Sequence, residues 1–159
     1  SSTYGLSKKL CEQLIIKSKL KNYTILRLCP VFNDENKIDI RKRVFIPFVP
    51  FVKINILPVP FYSLTHLNTL IHAVQNLVFD TIKDNRIFNI CDKKPYSQKE
   101  LVNWFKGPSI ILPVILVKPF YWLSFMLPKR ISYKIRCNYW KFFCDNIYST
   151  EKLEKINYE

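Results

Sequence analysis

The chain has 159 residues, with 25 Lys and Arg against 12 Asp and Glu, for a formal net charge of +13. That length suits one ordinary domain, and two glycines, Gly5 and Gly107, exclude a glycine-rich phosphate loop within it. The positive balance favours an anionic partner: a nucleotide, a nucleic acid or a membrane surface.

The cations are scattered, however. Arg41-Lys42-Arg43 is the one tight group, and no RNA-binding signature or zinc-finger spacing is present, so nucleic acid is not the expected partner. The five cysteines (Cys11, Cys29, Cys91, Cys137 and Cys144) are odd in number and widely spaced. They fit neither a disulfide framework nor a CxxC metal site. Reduced, mostly buried thiols in a cytoplasmic protein are expected. His66 and His72 stand six apart, off a common helical face, so no metal site is expected. The sequence opens at Ser1 directly before a helical run, without a signal peptide, and reads as a piece of something longer.

In chain order, a helix is expected from Tyr4 to about Leu20, with Leu6, Leu10, Leu14 and Ile15 as its core-facing stripe. Tyr4 and Lys8 are four apart and share a helical face. An ammonium beside a phenol favours the phenolate, and a tyrosine tuned that way serves as a general acid or base. The spacing alone is weak, because Tyr148 and Lys152 repeat it. Tyr23 to Leu28 reads as a short buried strand stopped by Pro30. Helix to strand within a few residues is the rhythm of a parallel α/β sheet.

Asn33 to Lys37 is polar loop. Pro47, Pro50, Pro58 and Pro60 forbid a long helix beyond it, leaving a short strand at Ile54 to Leu57. An extended segment from Tyr62 to Leu67 leads into a helix to Asp80, and a turn at Lys83-Asp84-Asn85 into a second buried strand, Arg86 to Ile90. Ser97-Gln98-Lys99-Glu100 forms a capping box for a helix running to about Phe105, which Gly107-Pro108 ends. Ile110 to Leu127 is the most apolar stretch. Pro113, Lys118 and Pro119 argue against a membrane span, and a short strand followed by a buried or interfacial helix from about Lys118 is expected. A basic segment, Lys129 to Lys141, carries interleaved Tyr133, Tyr139 and Trp140, and a terminal helix is expected from about Ser149.

Taken in order, these pieces resemble the C-terminal portion of the extended short-chain dehydrogenase/reductase family, in particular NAD-dependent epimerases and dehydratases of nucleotide-diphosphate sugars. Tyr4-Gly5-x-Ser7-Lys8 with Glu12 is similar to the family's Y-G-x-S-K helix, and Leu26-Arg27 followed by Pro30-Val31-Phe32 to its L-R…V-Y-G strand and turn. Ser63 to Leu70 resembles the segment ending in H-V-D-D-L, Phe88-Asn89-Ile90 the later Y-N-V strand, and Ser97 to Leu101 the S-x-x-E-L helix start. Asp145-Asn146-x-Tyr148-Ser149-x-x-Lys152-Leu153 resembles the terminal D-x-S-K…L element.

The resemblance implies an α/β fold, the C-terminal part of a Rossmann-type parallel sheet plus a small substrate-binding lobe. Residues 1–32 and 67–106 would lie on the sheet side and 33–66 and 107–159 in the lobe, with the dinucleotide-binding half absent. It implies Tyr4 as the proton-transfer residue, and Lys8 as the partner that holds the nicotinamide ribose and eases deprotonation of the phenol. Cys29, Pro30 and Val31 would border the cofactor, which is NAD, with NADP the other candidate. Phe32, Asn33, Arg41, Arg43 and Tyr62 would meet the sugar nucleotide. Departures are equally concrete: Asn33 stands where glycine is usual, Asn68-Thr69 replaces D-D, and Tyr62 sits near a position often held by a phosphate-binding Arg. The expectation is therefore a portion of a cytoplasmic enzyme, inactive in isolation, whose full-length form is a candidate homodimer. The alternative is a non-catalytic remnant or a basic module in peripheral contact with a membrane.

Overall fold

The computed structural model describes residues 3–46, 49–79 and 85–154. It is a mixed α/β structure with seven α-helices and four small sheets among the described residues, none closed into a barrel. The helix α1 (Thr3–Lys17) leads through Asn22, at positive φ, into β1 (Thr24–Leu28). β1 pairs in parallel register with β7 (Arg86–Ile90), Leu28 opposite Ile90. These are the two strands expected of a parallel sheet, one residue trimmed at Tyr23. Between them lie β2 (Val31–Phe32), parallel to β6 (Thr65–His66), and then α3 (Leu67–Phe79). The expected helix end at Asp80, the turn at Lys83-Asp84 and Pro47 fall outside the described residues.

A second unit is built around β4 (Val49–Leu57), antiparallel to β3 (Phe45–Ile46) and parallel to β9 (Ser109–Pro113). Short β5 (Phe61–Tyr62) and β8 (Tyr96–Ser97) pair antiparallel. Ser97 caps α4 (Gln98–Asn103) by accepting a hydrogen bond from the Glu100 amide at 3.2 Å. The basic group Arg41-Lys42-Arg43, to which the sequence assigned no element, lies on a helix, α2 (Ile38–Val44): Ile40 and Val44, one turn apart, are both fully buried while Arg41 and Lys42 face outward.

Two cores result. One joins Phe32, Ile40, Val44, Tyr62, Leu64 and Leu101; the other joins Ala73, Phe88, Ile90 and Leu153. So α4, expected beside the parallel sheet, packs with α2 and β4 instead, and Leu153 of α7 (Glu151–Glu154), expected in the lobe, packs under β7. The apolar stretch forms β9, then α5 (Val114–Leu123) and a 3-10 turn (Ser124–Met126), followed by α6 (Lys129–Phe143). Its helix starts four residues before Lys118, since Pro113 is a suitable N-terminal residue. No helix among the described residues is long and apolar enough to cross a membrane.

α1 departs furthest from expectation. Leu6, Leu10 and Leu14, read as core-facing, are about half or more exposed. What ties the helix to β1 is Glu12, which accepts hydrogen bonds from Arg27 Nε (3.2 Å) and Nη2. That hydrogen bond holds the Glu12 carboxyl below the usual carboxylate range. A carboxyl depressed on folding stabilises above its unfolded value of about 4.3 and loses that contribution as pH falls through the lower folded value. We therefore expect amide exchange in α1, corrected for intrinsic rates, to speed up below about pH 4 while β7 stays protected. Equal protection of both at low pH would show that α1 is held by something else. The effect is local and small, as exposed ion pairs are.

Candidate active site

The N-terminal turn of α1 carries the phenol and the ammonium singled out by spacing. Lys8 Nζ lies 5.6 Å from the Tyr4 ring centroid, a cation–π distance, and Tyr4 is 73% exposed. The Tyr148/Lys152 repeat does not reproduce this. Tyr148 precedes α7, which begins at Glu151, so the four-residue spacing there does not fall on one helical face. The Tyr148 amide instead donates to Ser63 Oγ at 3.0 Å.

The carboxyl ends of β1 and β7 are a second candidate position, since open parallel sheets bind ligands there. Cys29 and Cys91 follow these strands side by side, both buried, with the Cys29 amide donating to Ile90 O at 3.2 Å. The hydrogen bond with Cys91, and then burial, push the Cys29 thiol far up, so it is a neutral wall and not a nucleophile. All five cysteines are free, as expected, but Cys11 and Cys137 are exposed and Cys144 is half-buried, so burial is not the general rule. Pro30 contributes its carbonyl to the Thr65 amide at 3.0 Å.

Beyond Pro30, a surface cavity of about 290 Å³ is lined by Val31, Phe32, Asn33, Asn36 and Leu67. Asn33 shapes it by accepting the Asn36 amide on its Oδ1 at 2.5 Å. Phe32 is packed edge-on against His66 and Tyr96, at 5.2 and 5.8 Å between ring centroids. His66 Nδ1 accepts the Asn68 amide at 3.2 Å, which occupies it with the backbone. Among the described residues no cluster of His, Cys, Asp or Glu is arranged to hold a metal ion.

Three expected ligand residues lie elsewhere. Tyr62 is fully buried, donates its hydroxyl to Phe142 O at 2.5 Å, and has its ionisation pushed up by burial, so it presents no atom to a substrate. Arg43 stacks its guanidinium 5.0 Å from the Tyr62 ring and donates Nη1 to Lys141 O at 3.1 Å. Burial disfavours its charge. Arg41 sits over the Phe45 ring at 4.9 Å and reaches Pro50 O at 3.4 Å. Neither arginine lines the cavity at Phe32, and nor do Tyr4 and Lys8.

One residue went unnoticed in the sequence. Asp92, just past β7, accepts the His66 amide on both oxygens at 3.1 Å and the Tyr96 hydroxyl at 2.7 Å, while its own amide donates to Leu64 O at 2.8 Å. It locks β6 and the Phe32 aromatic cluster to the end of the parallel pair. Its only sequence signal is an acidic residue just beyond a buried strand.

No protein-family model matches the chain, and neither the curated proteins nor the solved structures give a significant match.

Proposed function

We propose that the chain is the Tyr/Lys-bearing C-terminal portion of an NAD-dependent nucleotide-diphosphate-sugar epimerase or dehydratase built on a Rossmann-type sheet. The observation that carries this reading is Lys8 Nζ lying 5.6 Å from the Tyr4 ring centre on an exposed helix face, where the chance repeat of the spacing forms no such pair. The parallel pairing of β1 with β7 and the cavity at Val31, Phe32 and Asn33 agree with it.

An exposed phenol and an exposed ammonium fit the ribose at the nicotinamide end of a dinucleotide, while the cavity past the β-strand is lined by neither of them. The residues present do not fit the pyrophosphate, since the chain's two glycines form no phosphate cradle. When bound, the cofactor supplies the hydride-transfer chemistry. This chain's part is narrower. Tyr4 Oη, as a phenolate held beside the Lys8 ammonium, would take the proton of a sugar hydroxyl and become the neutral phenol, Lys8 would also donate to the ribose, and the Cys29–Val31 segment would exclude water from one side.

The test is the coding DNA upstream of Ser1 and the protein it encodes. A strand–GxxGxxG–helix in frame, in a protein that interconverts or dehydrates a nucleotide sugar with NAD, is the expected result. A stop codon immediately upstream, or a whole protein that binds neither NAD nor sugar nucleotide by calorimetry, overturns the reading in favour of a scaffold without the chemistry.

A further inference from the structure

A cavity of about 420 Å³ lies between α4 and the sheet that β4 makes with β9, and it shares no residue with the cavity at Phe32. Its floor follows the strand alternation. Lys53, Asn55 and Leu57 of β4 fall on one face, and Ser109 and Ile111 of β9 stand opposite Lys53 and Asn55. Val102 and Asn103 line it from α4. The two ends differ in character. Lys53, Ser109 and Asn103 gather where α4 finishes, and Leu57 and Val59 where it begins, beside the Pro60 carbonyl that accepts the Gln98 amide at 2.9 Å. No Asp or Glu is among the residues of this lining.

Lys53 decides what this cavity takes. It is 9% exposed, and its Nζ donates to Phe105 O at 2.8 Å, just past the end of α4. Among the described residues that carbonyl is its one hydrogen-bond partner, and no carboxylate comes within ion-pair distance of it. A single carbonyl satisfies one N–H of the ammonium and offsets only part of its charge. Holding such a charge out of water is unfavourable until an anion joins it. The Asn103 carboxamide and the Ser109 hydroxyl at the same end carry donors that no described residue accepts. A carboxylate can take these together with the remaining ammonium protons, as charge-assisted bonds. One buried cation balances a monoanion, whereas a phosphate dianion would be left half compensated. Leu57, Val59, Val102 and Ile111 complete the walls, and they suit an apolar body.

We propose that this cavity binds a small monocarboxylate with an apolar body, its carboxylate at Lys53, Asn103 and Ser109 and its body toward Leu57 and Ile111. This holds whether or not the chain turns over a sugar nucleotide.

Calorimetric titration of the full chain with octanoate, octan-1-ol and acetate tests it. Octanoate is expected to bind saturably. Octan-1-ol, with the same body and no charge, is expected to bind about tenfold or more weakly, and acetate, with the same head and no body, to bind more weakly still. Lys53→Met keeps the length of the side chain and removes its charge. It is expected to weaken octanoate about tenfold or more while leaving octan-1-ol little changed. Ile111→Glu keeps the test decisive if Lys53→Met fails to fold, because Ile111 is 66% exposed. Its carboxylate at the cavity wall is expected to repel octanoate and to spare octan-1-ol. Ile115→Glu, the same change on α5 at a position that is 69% exposed and outside the cavity, is expected to leave octanoate binding as it was. The proposal is overturned if octanoate gives no saturable heat, or if octanoate and octan-1-ol bind equally. Equal loss of octanoate binding from Ile111→Glu and Ile115→Glu overturns it as well, since the ligand would then lie on apolar surface elsewhere.

Discussion

Tyr4→Phe, made in an enzyme that carries this chain together with a dinucleotide-binding half, is expected to lower kcat by about 10²–10⁴-fold, the range for removing a general acid or base. The ring survives, and with it the cation–π contact to Lys8, so the change removes the proton-carrying hydroxyl and little else. Thermal unfolding is expected to stay where it was, because Tyr4 is 73% exposed. Lys8→Met should raise the KM for the dinucleotide as well as lower kcat, since its ammonium is assigned to both ribose and phenolate. Tyr148→Phe is the internal control: the same sequence spacing, without the helix beneath it. Steady-state kinetics of the three variants decide the assignment. Equal activity of Tyr4→Phe and the parent enzyme would remove the phenol from the chemistry.

Gln98→Leu is expected to destabilise the chain by about 2–4 kcal/mol, the sum for two stranded buried backbone groups. That is a fall in melting temperature of roughly 5–15 °C at this size. Gln98 is fully buried at the start of α4 and treats β4 as a neighbouring strand would. Its Oε1 accepts the Ile56 amide at 3.2 Å, and its Nε2 donates to Ile54 O at 2.5 Å. The other edge of β4 is already taken by β9, so leucine fills the volume but leaves a donor and an acceptor unmet. Gln98→Glu sharpens the test. The introduced carboxyl can donate to Ile54 O only when protonated, so its folded-state ionisation is raised. Its stability is present below the unfolded value of about 4.3 and lost as pH rises through the folded value. Calorimetric scans across pH read both variants; a melting point for Gln98→Leu within a degree or two of the parent would show that this bridge carries no weight.

How far these features were legible from residues alone differs by length scale. β7 was readable in full, and α4 from its cap, because a buried β-branched run and a Ser-x-x-Glu box are local signals. α2 was hidden by its own charges: Arg41-Lys42-Arg43 drew an electrostatic reading, while the Ile40/Val44 pair that makes it a helix is just two residues. β4 was seen from Ile54 onward and missed at Val49, since Pro50 argues against a strand unless its missing donor falls where no partner needs it. α6 passed as a basic segment, its inward Ser132, Tyr139 and Phe143 too mixed to register as an apolar stripe. At the site, the Tyr4/Lys8 pairing was available from spacing. Asp92, Gln98 and the burial of Tyr62 were not, because each depends on partners far along the chain: Leu64 and His66, Ile54 and Ile56, and Phe142.

β1 bonds to β7 along one side, and Leu28, at its far end, is half exposed. Among the described residues no strand pairs with its other flank, and such an edge is a receiving template for an added strand. This makes the chain suited to two-piece reconstitution: a separately produced segment ending in a parallel strand can be snapped onto it by main-chain bonds. The joined product would then report on its own assembly through whatever activity the pair recovers.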